Sequence, residues 1–217
     1  ADLGIAFDGD ADRALAVDGD GKVIDGDHLI AIFANDMNNR GVLRDETTAV
    51  SVMTNLGFHL AMKEQKIKTH VTPVGDRHIL QALQTNNWSL GGEQSGHIIF
   101  PDIATTGDGI LTALQFLDIL KRSDKTSKEL SQSSMKKSPQ SLRAVSLPMI
   151  GTEIVSEMKP FIDEIEGSLG DTGRVLVRLS GTEPILRIMV EAPIQKQVDA
   201  YAQQLVEIAE KILSTNK

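Results

Sequence analysis

The order of apolar and polar positions predicts an α/β layer domain in the first part of the chain. Short apolar runs at 3–7 and 14–17 flank an Asp/Gly cluster, which predicts a strand, a loop and a second strand. Apolar stretches of helix and strand length then alternate over about residues 20–120. Asp27 precedes the first of these helices as a possible N-cap. The predicted helices cover 28–37, 54–66, 76–85 and 107–121, and the predicted strands cover 48–52 and 68–72.

The last part of the chain has a different pattern, which predicts a smaller α+β domain. A strand at 142–147 is followed by a helix within 152–166, where Pro160 suits a first helical turn better than an interior. Strands at 174–179 and 185–192 form a hairpin, and the final helix carries one apolar stripe. The predicted fold class is therefore a mixed α/β layer domain followed by an α+β domain of order β-α-β-β-α.

Composition narrows the classes of protein. The chain has 217 residues, a formal net charge of −8 and no cysteine. The lack of cysteine excludes a disulfide scaffold, a Cys-based metal site and a Cys nucleophile. The acidic balance argues against nucleic-acid binding, and no apolar run is long enough to span a bilayer. Residue 1 is Ala and the first predicted strand follows at once, so we expect a fragment of a longer chain.

Charge is unevenly distributed. Acidic residues are concentrated in 1–27 and basic residues in 121–143, a segment that is also rich in serine. Such a composition buries little, so we expect 123–139 to be a solvated linker rather than a binding tail, and a short surface helix can form within it at about 128–135.

The acidic loop, residues 8–13, carries three carboxylates at alternate positions between two strands. Asp8, Asp10 and Asp12 repel one another unless a cation lies among them, and their oxygens suit Mg²⁺ or Ca²⁺. An EF-hand is excluded because Arg13 stands where that motif needs Gly, and Gly19 where it needs Glu. An Asp-x-Asp-x-Thr phosphatase motif fails because Asp12 is its fifth residue. A solvated acidic turn stays as the alternative.

Two further loops carry candidate chemistry. The glycine-rich loop, residues 91–97, presents Glu93, Ser95 and His97, which can bind hydroxyl groups, although a tight turn explains it about as well. A Ser-His nucleophile pair is less favoured, because no acid that orients the His can be identified. The arginine loop, residues 178–187, combines Arg side chains, hydroxyls and a glycine, which favours a phosphate cradle over a plain hairpin turn.

These three loops resemble motifs of the α-D-phosphohexomutase family, which moves a phosphate between the O6 and O1 positions of a hexose. The string 7–13 resembles the family's magnesium loop, 91–97 its sugar loop Gly-Glu-x-Ser-Gly-His, and 178–184 its phosphate loop Arg-x-Ser-Gly-Thr-Glu-Pro. Residues 72–77 resemble a further active-site loop. Gln94 at position x resembles the branch that acts on glucosamine phosphates, whereas mannose- and glucose-handling members more often carry Met there.

The resemblance implies a role for each matched residue. Mg²⁺ would be held by Asp8, Asp10 and Asp12. Arg13 and His97 would lie at the reacting centre as catalytic residues. The residues implied to bind substrate are Glu93, Ser95 and Arg77 for the sugar, and Arg178, Ser180, Gly181, Thr182 and Arg187 for its phosphate.

The resemblance also implies a domain plan and partners. Residues 1–20 would end domain 2, 21–122 would form domain 3, 123–139 the linker and 140–217 domain 4. The family's phosphoserine lies in domain 1, which has no counterpart here, so we expect this chain alone to be inactive. The expected partners are a hexosamine phosphate, its bisphosphate intermediate, the missing N-terminal domains and a second copy of the chain in a homodimer. The expected location is cytoplasmic, and a non-catalytic sugar-phosphate binder is the alternative.

Overall fold

The computed structural model describes residues 1–148, 153–181 and 183–215, which divide into two compact units. Unit 1 spans Ala1–Lys137 and unit 2 spans Ser138–Lys217. None of the described helices combines the length and the apolar character that a membrane span requires.

Unit 1 begins with a three-stranded antiparallel sheet. Its strands are β1 (Leu3–Phe7), β2 (Ala14–Asp18) and β3 (Val23–Ile24), in that order. Leu3 pairs with Asp18 and Phe7 pairs with Ala14, so β1 and β2 form a hairpin whose connection is the acidic loop. The predicted strand–loop–strand at the start of the chain is confirmed.

The rest of unit 1 alternates helices and strands as predicted. The elements are α1 (Gly26–Asn39), β4 (Thr47–Ser51), α2 (Leu56–Glu64), β5 (Lys68–Thr72), α3 (Asp76–Asn86), β6 (Gly91–Gly92), β7 (Ile98–Ile99) and α4 (Gly109–Ser123). The sheet order is β5-β4-β6-β7, with β4 parallel to β5 and to β6. Phe33, Phe58 and Phe116 are buried in its main core. Helices packed on a mostly parallel sheet define an α/β layer.

The N-terminus of α1 corrects the predicted cap. Asp25, not Asp27, is the N-cap, because its side chain accepts a hydrogen bond from the His28 N–H group. Asp27 lies inside the first turn and is fully buried. The two aspartates are two residues apart, and only the three-dimensional packing distinguishes their roles.

The segment predicted to be a solvated linker contains the short helix that the sequence allowed there, but this helix is packed against the core rather than solvated. Helix α5 (Ser127–Ser134) begins at a capping box formed by Thr126 and Glu129. Leu130 and, just after the helix, Met135 are buried in the main core of unit 1. The few apolar residues of this segment are spaced so that they meet the core, and that spacing outweighs the polar composition.

Unit 2 has the predicted order β-α-β-β-α. Its elements are β8 (Gln140–Ser146), α6 (Glu153–Leu169), β9 (Arg174–Leu179), β10 (Ile185–Glu191) and α7 (Gln195–Thr215). The antiparallel sheet has the order β8-β10-β9, and its core includes Leu186 and Ile188. Pro160 lies inside α6. The residue four positions earlier, Ser156, is exposed, so water can solvate the carbonyl that Pro160 leaves without an N–H donor.

The burial of Leu130 gives a testable prediction. Leu130→Ala removes a core side chain, so we expect the free energy of unfolding of unit 1 to fall by about 2 kcal/mol or more. Trp88, the only tryptophan, lies in unit 1 and reports its unfolding in denaturant. Gln132→Ala, an exposed change on the same helix, is the control. Equal effects of the two substitutions would contradict the packing of α5.

Candidate functional site

The acidic loop is held by its own backbone and by the start of α4. Ala11 adopts a left-handed conformation with φ of 58°, and its N–H group donates to the Asp8 carbonyl. The Ala11 carbonyl accepts from the Gly109 N–H group at 2.9 Å, and Gly109 is the first residue of α4. Left-handed backbone is unusual for a residue other than glycine, so this loop is strongly constrained by its surroundings.

The three aspartates of the acidic loop converge. Asp8, Asp10 and Asp12 each offer one carboxylate oxygen, and these oxygens lie within 4.8 Å of one another. Arg13 only partly balances their charge: its Nε atom is 3.6 Å from Asp8 Oδ2 and 3.8 Å from Asp12 Oδ1. Asp12 Oδ1 is buried and has no hydrogen-bond partner among the described residues. A compact set of oxygen donors with one unsatisfied atom fits a hard divalent cation.

The carboxylates of the acidic loop also shift one another's ionisation. Burial raises the pKa of Asp12, and the hydrogen bond with Asp8 and the charges of Asp10 and Asp8 raise it further. Burial also opposes ionisation of Asp8, but the Arg13 N–H group, the Asp12 hydrogen bond and the Arg13 charge outweigh it and lower the Asp8 pKa. Without a cation, simultaneous ionisation of all three carboxylates is therefore unfavourable.

The glycine-rich loop is a tight turn between β6 and β7. The Glu93 N–H group donates to the His97 carbonyl, and the Gly96 N–H group donates to the Glu93 carbonyl, both at 3.0 Å. The loop contacts the start of β2, where the Ala14 N–H group donates to the Gly96 carbonyl. A Cβ atom on Gly96 would lie 2.3 Å from the Ala14 carbonyl oxygen, so only glycine fits at this contact.

His97 connects the glycine-rich loop to the acidic loop. Its side chain is only 4% exposed, and its Nε2 atom is 3.5 Å from Asp12 Oδ2. Gly107 lets the ring lie this deep, because a Cβ atom there would be 2.3 Å from Nε2. Asp12 is thus an acid facing His97 that the sequence does not identify. Ser95 is exposed, and His97 Nδ1 has no hydrogen-bond partner among the described residues while Nε2 faces Asp12, so Ser95 and His97 do not form a nucleophile pair.

Glu93 and Arg77 lie on neighbouring loops of unit 1. The Glu93 carboxylate accepts a hydrogen bond from the Gly75 N–H group at 3.0 Å, which joins the glycine-rich loop to the loop that precedes α3. Arg77 is exposed in the first turn of α3. One oxygen of Glu93 is therefore used to hold a loop. The roles of Glu93, Ser95 and Arg77 toward a sugar stay predictions.

Asp27 is a site residue that sequence reasoning missed. Its Oδ2 atom accepts from the Asn55 N–H group at 2.9 Å and from the Gln94 side-chain amide at 3.0 Å. Burial raises the pKa of Asp27 to about 6, the Asn55 N–H group opposes that shift, and the Asp25 charge adds to it. One clue is present in the sequence, because Asp27 directly precedes the apolar stretch that forms α1.

In unit 2, the arginine loop brings two positive charges face to face. Arg178 and Arg187 are directly opposite each other on β9 and β10. Burial lowers the pKa of Arg178, the Arg187 charge lowers it further, and Arg178 Nε has no hydrogen-bond partner among the described residues. Like charges directly opposite on a hairpin are destabilising, so the pair favours an anion between or beside them.

The turn of the arginine loop is only partly described. Ser180 is buried and its N–H group donates to the Ile185 carbonyl at 2.8 Å, while Gly181 is exposed. The Arg187 Nη2 atom lies 3.4 Å from Glu183 Oε2. Thr182, which the resemblance assigns to phosphate binding, lies outside the described residues.

Comparison with known proteins identifies the class of fold that carries these loops. Residues 25–138 match the family model "Phosphoglucomutase/phosphomannomutase, alpha/beta/alpha domain III". Residues 123–208 match the model of the C-terminal domain of the same proteins. The chain belongs to the phosphoglucomutase/phosphomannomutase family, which confirms the resemblance and the fold class.

The curated relatives and solved structures agree with this assignment. The chain is 47% identical over 211 residues to phosphoglucosamine mutase of Clostridium botulinum (strain Hall), covering 96% of this chain and 47% of that protein. It is 46% identical over 217 residues to phosphoglucosamine mutase of Leifsonia xyli subsp. xyli, covering 99% and 47%. The chain thus spans about half the length of these relatives.

One solved structure similar to this chain is Aspergillus fumigatus N-acetylphosphoglucosamine mutase in complex with GlcNAc-6P and magnesium. It superposes with a TM-score of 0.78 at 20% identity, covering 98% of this chain and 49% of that chain. At this identity the likeness shows the fold.

The buried position of Asp27 predicts a pH effect on stability. Its pKa is raised in the folded state, so the native protein holds the proton more tightly than the unfolded chain between about pH 4 and 6. As the pH falls from 7 to 4, wild type should therefore gain on the order of 2 kcal/mol in unfolding free energy relative to Asp27→Asn.

The Trp88 signal in denaturant at several pH values measures this difference. Ser134→Ala, a buried position of unit 1 without a titratable group, is the control. Its effect on the free energy of unfolding should not change between pH 4 and 7. A wild-type advantage that shrank toward pH 4 would contradict the assignment of Asp27.

Proposed function

We propose that the protein acts as a phosphoglucosamine mutase, an isomerase that interconverts glucosamine 6-phosphate and glucosamine 1-phosphate. The observation that carries this proposal is the meeting of the acidic loop and the glycine-rich loop at Asp12 and His97. A cation-binding cluster beside a hydroxyl-binding loop suits phosphoryl transfer to and from a sugar. The names of the curated relatives support the choice of glucosamine phosphates.

Mg²⁺ is the proposed cofactor of this reaction. Asp8, Asp10 and Asp12 would hold it, as their converging oxygens and the unsatisfied Asp12 Oδ1 atom suggest. Its chemistry would be to neutralise negative charge that develops on a phosphoryl group. Arg13 adds positive charge next to the same cluster, and His97 keeps the Asp12 side chain oriented toward it.

The remaining residues bind and orient the substrate in this proposal. Glu93 and Ser95 accept from or donate to hydroxyl groups of the sugar, and Arg77 contacts it from the neighbouring loop. Arg178, Ser180, Gly181, Thr182 and Arg187 hold the phosphate that does not react. Because the reacting phosphate changes ends during isomerisation, the same phosphate-binding residues have to hold the substrate in both of its orientations.

The phosphoryl carrier in this proposal is a phosphoserine in the N-terminal part of the relatives, with a hexosamine bisphosphate as intermediate. No serine of the sequence lies in a context like Thr-Ala-Ser-His-Asn, the phosphoserine motif of the family that the sequence resembles. The product would feed amino-sugar precursor synthesis for the cell wall in the cytoplasm. Glucose or mannose phosphates are the second candidate substrates, because the matching family model is that of phosphoglucomutases and phosphomannomutases.

The metal assignment predicts the effect of a single substitution. Asp10→Asn removes one of three converging charges, so we expect the dissociation constant for Mg²⁺ to rise about tenfold or more. Isothermal titration calorimetry with MgCl₂ measures it. Asp2→Asn removes an exposed acid of the same hairpin region and serves as the control. The same Mg²⁺ affinity in wild type and Asp10→Asn would overturn the site.

The phosphate assignment predicts a contrast between two arginines of unit 2. Glucosamine 6-phosphate should shift the amide NMR signals of Ser180, Gly181 and Glu183, whereas glucosamine should not. Arg187→Ala removes a charge-assisted hydrogen bond, so the affinity should fall about tenfold or more.

Arg143→Ala is the matched control for Arg187→Ala. Arg143 pairs with Ile188, the residue next to Arg187, so the two arginine side chains point to opposite faces of the sheet. Arg143→Ala should leave the affinity unchanged. Equal losses in both variants, or equal shifts with glucosamine, would count against a phosphate cradle.

A further inference from the structure

Three separate segments of unit 1 meet at the carboxylate of Asp27. Asp27 lies in the first turn of α1, and its Oδ2 atom accepts from the Asn55 N–H group, at the N-cap of α2. The same oxygen accepts from the side-chain amide of Gln94 in the glycine-rich loop. Asp27 and Gln94 are 67 positions apart in the sequence, so this contact is purely tertiary.

Gln94 is fixed to the same helix start through its backbone as well. Its carbonyl accepts a hydrogen bond from the Gly26 N–H group at 3.0 Å. Gln94 is therefore held by two consecutive residues of α1, once through its main chain and once through its side chain. Glu93 and Ser95 flank Gln94 in the chain. The two attachments of Gln94 therefore fix the backbone positions from which the Glu93 and Ser95 side chains extend.

Burying a carboxylate at this position is energetically unfavourable if its role is only that of a structural hydrogen-bond acceptor. Asp27 is fully buried, and its Oδ1 atom has no hydrogen-bond partner among the described residues. The nearest charges are Asp25, which repels it, and Lys137, which pairs with Asp25 at 2.5 Å. Asp25 is also hydrogen-bonded to His28. A buried carboxylate without an ion pair of its own lowers stability unless its hydrogen bonds compensate.

We propose that Asp27 is a positioning residue for the glycine-rich loop, which it holds through Gln94 in a fixed place relative to the start of α2. An ionised acceptor makes stronger hydrogen bonds than a neutral one, so the carboxylate fixes the Gln94 amide more firmly than a neutral side chain would. The further step, that this placement serves sugar binding by Glu93 and Ser95, rests on the proposed function. Asp27 itself does not contact the substrate.

The first test needs no ligand. Amide hydrogen exchange of Glu93 and Gly96, measured by NMR, reports the stability of the turn, and the amides of β4 serve as an internal reference. Gln94→Met removes the amide donor at similar volume, and Asp27→Leu removes the acceptor. In both variants we expect exchange of Glu93 and Gly96 to be about tenfold faster, with β4 little changed. Asp27→Asn keeps a neutral acceptor oxygen, so Glu93 and Gly96 should exchange at rates between those of wild type and Asp27→Leu.

Two controls keep the test specific. Ser134→Ala removes another buried side-chain hydrogen bond of unit 1, on α5, and should leave the glycine-rich loop unchanged. In the double variant Asp27→Leu with Gln94→Met, the Glu93 and Gly96 amides should exchange no faster than in the more affected single variant. If Asp27→Leu does not fold, Gln94→Met alone decides. Loop exchange in Gln94→Met equal to wild type would overturn the proposal.

A second measurement separates this proposal from the proposed function. Titration with glucosamine 6-phosphate, followed at the Glu93 and Gly96 amides, should show weaker binding in Gln94→Met than in wild type. If wild type bound no glucosamine 6-phosphate but the exchange results were as predicted, the proposed function would fail while the positioning role of Asp27 stood. If binding were unchanged in Gln94→Met although the loop exchanged faster, the role of Asp27 in sugar binding would be wrong.

Discussion

The repulsion among three carboxylates in one six-residue loop is the constraint on which the candidate site of unit 1 depends. Asp8, Asp10 and Asp12 are brought within 4.8 Å by a hairpin turn whose backbone is tied to the start of α4. Arg13 balances only part of their charge, and His97 approaches from the glycine-rich loop. The loop is thus built at an electrostatic cost that a bound cation would remove, which is typical of functional sites rather than of structural turns.

Unit 2 also brings like charges close together, but there the charges are positive. Arg178 and Arg187 face each other across a hairpin and favour an anion, as the carboxylates favour a cation. Asp27 shows a related trade-off: its buried carboxylate weakens the fold near neutral pH while it holds Gln94 in place. In each case burial or a neighbouring like charge disfavours the ionised group, and that group lies at, or holds, a loop with a proposed binding role.

Much of this architecture could be predicted from local pattern. The alternation of apolar runs was enough for the α/β layer and for the β-α-β-β-α order, because packing against a core imposes those periods directly. The errors arose where tertiary contacts decide. Helix α5 is packed rather than solvated because Leu130 reaches the core despite its polar neighbours, and Asp25 rather than Asp27 caps α1. The approach of His97 to Asp12 joins residues 85 positions apart, so no local pattern could reveal it.

The proposed function requires that the arginine loop and the glycine-rich loop each bind the substrate in both of its orientations. The most direct measurement compares the affinity of the chain for glucosamine 6-phosphate and for glucosamine 1-phosphate, by NMR titration in the presence of Mg²⁺. The account predicts dissociation constants within about tenfold of each other and shifts at the same amides of both loops. A preference of about a hundredfold or more for one isomer, or shifts at different residues, would contradict it.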